Sequence, residues 1–172
     1  MVLQMAKRCG ATVITTAGSN EKAARCRELG ADVVINYNTE DELEAILAAA
    51  PDGVDVFWET LREPDFDLVV GCLGERGRMV LMAGRDARPE FPVGPFYVKG
   101  CSLHGFVMFK ASADELRSCA EDINRWLVAG TLKAHISQRF SLDQTAQAHR
   151  LQEENTLQRE GTLAGKIVLH PL

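Results

Sequence analysis

The string Gly18-Ser19-Asn20-Glu21-Lys22 groups a glycine, a hydroxyl, the start of a predicted helix and an ammonium one turn into that helix. A helix start presents unpaired backbone amides, and a nearby lysine adds a point charge, so the group suits an anion such as a phosphate. In a dinucleotide-binding βαβ unit, an acidic side chain at the end of the second strand holds the adenosine ribose hydroxyls. From Thr12 to Ser19 no carboxylate occurs. A basic or small polar replacement there leaves room for a 2′-phosphate. Arg25, one turn further on, would add a second cation. A capped surface helix with ordinary basic residues is written the same way, so the string alone leaves both readings open.

Tyr37, Thr60 and Gly84 each follow a predicted strand, and ligands of parallel sheets sit at strand carboxyl ends. Tyr37 would pack on an adenosine or stand as a half-buried edge aromatic. Arg85 and Arg88 would attract an anion or keep a loop solvated. His104, His135, His149 and His170 lack a metal-ligand spacing, and His149 reads as structural. The five cysteines, Cys9, Cys26, Cys72, Cys101 and Cys119, form no C-x-x-C pair and read as small buried hydrophobes in a reducing compartment. No nucleophile and base pair stands out, so no catalytic residue is assigned and no metal is expected.

The elements that would position these groups alternate. Gly10–Ala17 predicts a strand, and Asn20–Leu29 a helix capped by Ser19 and closed by Gly30. Asp32–Tyr37 predicts a strand, Glu40–Ala50 a helix capped by Thr39 with Glu42 completing a capping box, and Val54–Glu59 a third strand. A helix over Asp65–Leu73 and a strand over Gly77–Ala83 follow, then a Gly- and Pro-rich loop over Gly84–Pro95. Gly100–Met108 predicts a fifth strand and Ala113–Ala129 a long amphipathic helix stopped by Gly130. The tail predicts a strand at His135–Phe140, a helix from Ser141 to Leu151, loop from Gln152 to Thr162, and a strand at Gly165–Leu169. Alternation of this kind specifies an α/β fold, a parallel sheet with helices on both faces.

A formal net charge of -5 offers nucleic acid and acidic membranes little attraction. No apolar run approaches the roughly 20 residues of a membrane span, and no export signal is apparent. A cytoplasmic protein without nucleic-acid or membrane partners is therefore expected.

Several strings in order carry a family resemblance. Thr16-Ala-Gly-Ser-Asn-Glu-Lys22, Glu28-Leu-Gly-Ala-Asp-Val-Val-Ile-Asn-Tyr37, Val54-Asp-Val-Phe-Trp-Glu59, Gly77-Arg-Met-Val-Leu-Met-Ala-Gly84, Leu103-His-Gly-Phe106, Ala148-His149 and Gly165-Lys-Ile-Val-Leu169 span nearly the whole chain. Together they resemble the zinc-independent, NADPH-dependent quinone oxidoreductase branch of the medium-chain dehydrogenases. The resemblance implies that Gly18, Ser19, Lys22 and Tyr37 contact the adenosine and 2′-phosphate end of NADPH. It implies that Thr60, Gly84, Arg85, Gly105 and Phe106 line the nicotinamide end, with Lys166 near the cofactor. It also implies metal-free hydride transfer to a quinone or activated enone, and a homodimer paired through the strand over residues 100–108. By the same likeness, residues 1–130 form a Rossmann-like domain and residues 131–172 the end of a catalytic (GroES-like) domain.

The departures raise their own expectations. The chain opens on Met1–Arg8, which resembles the second half of the first Rossmann helix, so the first strand and its glycine loop are not in this sequence. That strand is central in a doubly wound sheet, and its loss separates Thr12–Ala17 and Val33–Asn36 from the strands beginning at Val54. The halves would pair directly, a tail strand would fill the gap, or another chain would supply one. Met1 lies inside an amphipathic pattern, which points to a piece of a longer protein. Thr60-Leu61-Arg62-Glu63-Pro64 is bulkier than the small turn usual in relatives. The competing readings are a non-catalytic remnant that folds and self-associates, and an enoyl-reductase module of a synthase.

Overall fold

The computed structural model describes residues 1–158 and 160–171. Helices α1 (Val2–Arg8), α2 (Asn20–Glu28), α3 (Glu42–Ala49), α4 (Phe66–Cys72), α5 (Val93–Val98), α6 (Ala113–Val128) and α7 (Thr145–Leu157) are interleaved with strands β1 (Ile14–Ala17), β2 (Val33–Asn36), β3 (Val54–Glu59), β4 (Leu73–Leu81), β5 (Ser102–Gly105), β6 (Ile136–Ser141) and β7 (Lys166–His170). All strand pairs are parallel: β1 with β2, β3 with β4 and β4 with β5, and β6 with β7.

These ladders form three separate sheets. Among the described residues, β1 and β3 share no ladder, and neither tail strand pairs with either of them; β6 and β7 pair with each other. The first two sheets are joined by side chains instead. Ile35, Ile46 and Cys72 form a buried cluster onto which Ile14 and Val33 pack from the β1–β2 sheet, and Val54 and Phe57 from β3. A second cluster, Phe66, Val69, Val70, Leu73 and Met79, lies between α4 and the larger sheet. Each large aliphatic side chain so buried contributes roughly 1.5–3 kcal/mol. Lys99 ties the end of α4 down, its ammonium donating to the carbonyls of Val70, Gly71 and Leu73 at 2.9, 3.2 and 2.6 Å. These are C-terminal carbonyls that the helix leaves unpaired.

Phe57 turns toward the core, whereas its neighbours Val56 and Trp58 are exposed. Helix α6 carries the expected apolar stripe and a complete Ser112–Glu115 capping box, yet none of its residues is buried. The tail is fastened to α1 by Gln4, which is buried and bonded both ways to the backbone of Lys133, at 2.9 and 3.0 Å.

Several boundaries differ from expectation for identifiable reasons. Asp41, not Thr39, caps α3: its carboxylate accepts from Glu44 N, while Glu40 is drawn back to Asn36 N. The expected Gly84–Pro95 loop holds as far as Pro92, and helix α5 begins at Val93. Helix α7 runs to Leu157, through residues expected to be loop. Strand β5 is four residues long, and Met108–Lys110 forms a 3-10 turn rather than more strand. Cys9 and Cys119 are exposed and only Cys72 is buried, so burial does not explain the cysteines as a group.

Candidate cofactor site

Gly18 and Tyr37 meet first. Tyr37 follows β2, its backbone amide donating to Ala17 O at the end of β1. Its ring lies so close over Gly18 that an added Cβ there would stand 2.2 Å from the Tyr37 hydroxyl. Gly18 is therefore a close-approach glycine, and it has no positive φ. Asn38 Nδ2 donates to Gly18 O at 2.7 Å, and Asn36 Nδ2 to Asn20 Oδ1 at 3.1 Å. The loops after β1 and β2 are thus stitched together by amides rather than by charges. Ser19 is the cap of α2 as expected, its hydroxyl accepting from Lys22 N at 3.2 Å. Among the described residues the Lys22 ammonium has no ion-pair partner, whereas Arg25 is engaged by Glu28 at 2.6 Å and by His135 at 2.9 Å. Arg25 is therefore not the second free cation that its spacing suggested.

The chemistry of this corner fits an anionic end of a dinucleotide. It offers an unpaired ammonium, a helix start and a tyrosine face, and no carboxylate stands at the end of β1. The three asparagines that order it, Asn20, Asn36 and Asn38, were not singled out from sequence. Their signal was the clustering of asparagine just after two strand ends.

A second group gathers after β3 and β4. Glu59 is buried, and its carboxylate accepts from Leu61 N at 2.5 Å, fixing the turn that carries Thr60. Gly84 has φ +78° and sits against Arg62 O and Pro64. Arg62, Glu63 and Ala83–Ala87, with Gly84 and Arg85 among them, line an open depression of about 530 Å³. Trp58 Nε1 lies 2.8 Å from Met82 Sδ beside it. Burial, followed by the charges of Glu59, Asp65 and Asp41, pushes the Glu42 carboxyl above its ordinary range. Gly105 ends β5, and Phe106, whose amide donates to Leu81 O, is exposed. Lys166 stands apart, opening β7 in the third sheet.

A family model described as zinc-binding dehydrogenase matches residues 1–125. The chain belongs to that family. Prostaglandin reductase 1 from Bos taurus is 28% identical over 143 residues, covering 78% of this chain and 44% of the reductase. A solved NAD-dependent alcohol dehydrogenase aligns with a TM-score of 0.82 at 30% identity, over 98% of this chain and 46% of that one. The Escherichia coli quinone oxidoreductase solved with NADPH aligns with a TM-score of 0.81 at 25% identity, over 98% and 52%. This dehydrogenase-family chain thus spans about half the length of the relatives it matches. The likeness holds with the strands of this chain arranged in three sheets. Among the described residues no three His, Cys, Asp or Glu side chains are grouped to hold a metal ion, and no helix is long and apolar enough to cross a membrane.

Proposed function

We propose that this chain carries the NADPH-binding half of an oxidoreductase that delivers hydride to a quinone or an activated enone without a catalytic metal. One observation carries the reading: the end of β1 lacks a carboxylate, presents Lys22 unpaired among the described residues, and lies beneath Tyr37. In this reading Gly18, Ser19, Lys22 and Tyr37 hold the adenosine and its 2′-phosphate. Thr60, Gly84, Arg85, Gly105 and Phe106 border the nicotinamide end, and Lys166 approaches the cofactor from the tail. The bound nicotinamide supplies the hydride. The protein supplies position and exclusion of water, so the absence of an assigned general base is no obstacle. Residues 1–130 act as the dinucleotide domain and residues 131–172 as part of the catalytic domain, in a cytoplasmic homodimer.

The dimer reading is supported by the free edge of β5 and by the exposure of Phe106, Val107, Met108 and Phe109 beyond it. Among the described residues, β1 and β3 share no ladder. The unpaired edges of those strands also favour the second reading, a folded but non-catalytic remnant. Calorimetric titration of the 172-residue chain with NADPH, and with NADH as control, separates them. Micromolar binding that favours NADPH supports the reductase reading. No binding by a demonstrably folded chain leaves the remnant.

A further inference from the structure

Between Arg27 and Arg62 the sequence holds nine Asp and Glu residues and no Lys, Arg or His. The whole chain carries a net charge of only -5, so this stretch is far more acidic than the rest. It forms β2, α3 and β3. Between β2 and α3 it leaves an open groove of about 530 Å³, with Val33, Val34 and Ile35 along one side and Ala45, Ala48 and Ala49 along the other. Successive side chains of a strand point to opposite faces, so three consecutive residues share a groove only where it runs along the strand's edge. That edge is free, since β2 pairs with β1 alone among the described residues. The amides of Val33 and Tyr37 donate to Val13 O and Ala17 O on the β1 side, and alternation therefore turns Val34 and Asn36 outward. Asn36 N is taken by Glu40 at 2.7 Å, which leaves the backbone of Val34 facing the groove. The alanines leave the space beside it unfilled, and Glu40, Asp41 and the exposed Glu44 give it a negative wall at the start of α3.

We propose that the groove between β2 and α3 is a docking site for an extended, basic segment of a partner protein, which adds to β2 as a further strand and sets its cations against Glu44 and the start of α3. Main-chain bonds supply the affinity of such a strand, and the flanking side chains its selectivity. A second copy of this chain is disfavoured there, because pairing two β2 edges would bring two acidic walls together. Nothing in this recognition depends on the NADPH reading.

An end-capped peptide of alternating lysine and valine is the probe, with its glutamate–valine counterpart as control, each titrated at low salt into the full nitrogen-15-labelled chain. The lysine peptide is expected to shift the amides of Val34 and of Glu44–Ala49 at submillimolar concentration, and the glutamate peptide to shift none of them. Glu44→Lys is expected to weaken binding roughly three- to tenfold. Ala48→Phe, which fills the groove and leaves its charge unchanged, is expected to abolish it. Both positions are exposed on α3, and the Val34 amide is read in the unsubstituted chain as well. Binding that leaves the Val34 amide unmoved, or that survives Ala48→Phe, overturns the added strand. Equal binding of the two peptides, or no loss with Glu44→Lys, overturns the selection for a basic segment. A lysine peptide that does not bind at millimolar concentration overturns the docking site altogether.

Discussion

Replacing Gly18 with alanine separates a cofactor role for Tyr37 from a merely structural one. The new methyl would stand 2.2 Å from the Tyr37 hydroxyl and 2.7 Å from Cζ, so the ring must leave. It can do so cheaply. The Gly18 backbone has no positive φ, the clash is with the far end of a side chain, and Tyr37 is already 52% exposed. The expected loss of folding stability is about 0.5 kcal/mol, as for surface substitutions, or a fall of roughly 1–2 °C in melting temperature for a chain of this size. Gly53→Ala is the contrast. There φ is +82°, and the methyl would meet the backbone of Gly74 at 2.4 and 2.6 Å. Left-handed strain and overpacking together cost roughly 2–5 kcal/mol. If Tyr37 stacks on the adenosine, Gly18→Ala also removes about 0.5–1.5 kcal/mol of aromatic contact, a loss of roughly two- to tenfold in NADPH affinity. Thermal melts and calorimetry on the same samples read both quantities. A Gly18→Ala chain that binds NADPH as before refutes the placement of Tyr37 in the site. One that melts as early as Gly53→Ala refutes the claim that the contact is structurally dispensable.

Lys22→Glu is expected to erase about 1–3 kcal/mol of preference for NADPH over NADH, as for a charge-assisted contact, read as the ratio of the two affinities. Glu42→Gln is expected to raise the melting temperature at pH 7. Burial and three carboxylates lift the Glu42 carboxyl in the folded state, so the folded chain resists ionisation that the unfolded chain allows. That penalty disappears as pH falls below the unfolded value, and melts at pH 4 and pH 7 should show the variant's advantage only at the higher pH. Cys72 is fully buried, and burial, then Glu42, push its thiol up to about 11. Alkylation at pH 8 should therefore label exposed Cys9 and Cys119 promptly and Cys72 only on unfolding, which peptide mass analysis would resolve.

The rhythm of strand and helix was legible where a strand is a short β-branched run, as at Ile14–Ala17 and Val33–Asn36, and where the turn after it carries a glycine or a capping residue. Ser19 is read as a helix start, and it caps as its type predicts. Local competition was harder to read. Thr39 and Asp41 are both good caps, and Glu40 decides between them by bonding back to Asn36, a contact set by the turn after β2. Helix α5 opens Val93-Gly94-Pro95, poor helix formers that only packing of Phe96 against the core makes tenable. In the site, the glycine, serine and lysine of the β1 turn could be read locally. The Tyr37–Gly18 approach and the Arg25–His135 contact join distant parts of the chain, and no spacing rule anticipates them.

The division into three sheets bears on how the chain acquires its structure. Every ladder joins segments close in sequence, from Ile14 to Val33, from Arg78 to Ser102 and from Ile136 to Lys166. Each closes a loop on the order of 20–30 residues, and closure entropy grows only slowly with such lengths. No ladder waits for a strand from the far end of the chain, so pairing can nucleate at three places independently. The slow event is then the docking of α3 and α4 across the first two sheets, because the cluster of Ile35, Ile46 and Cys72 draws on both at once.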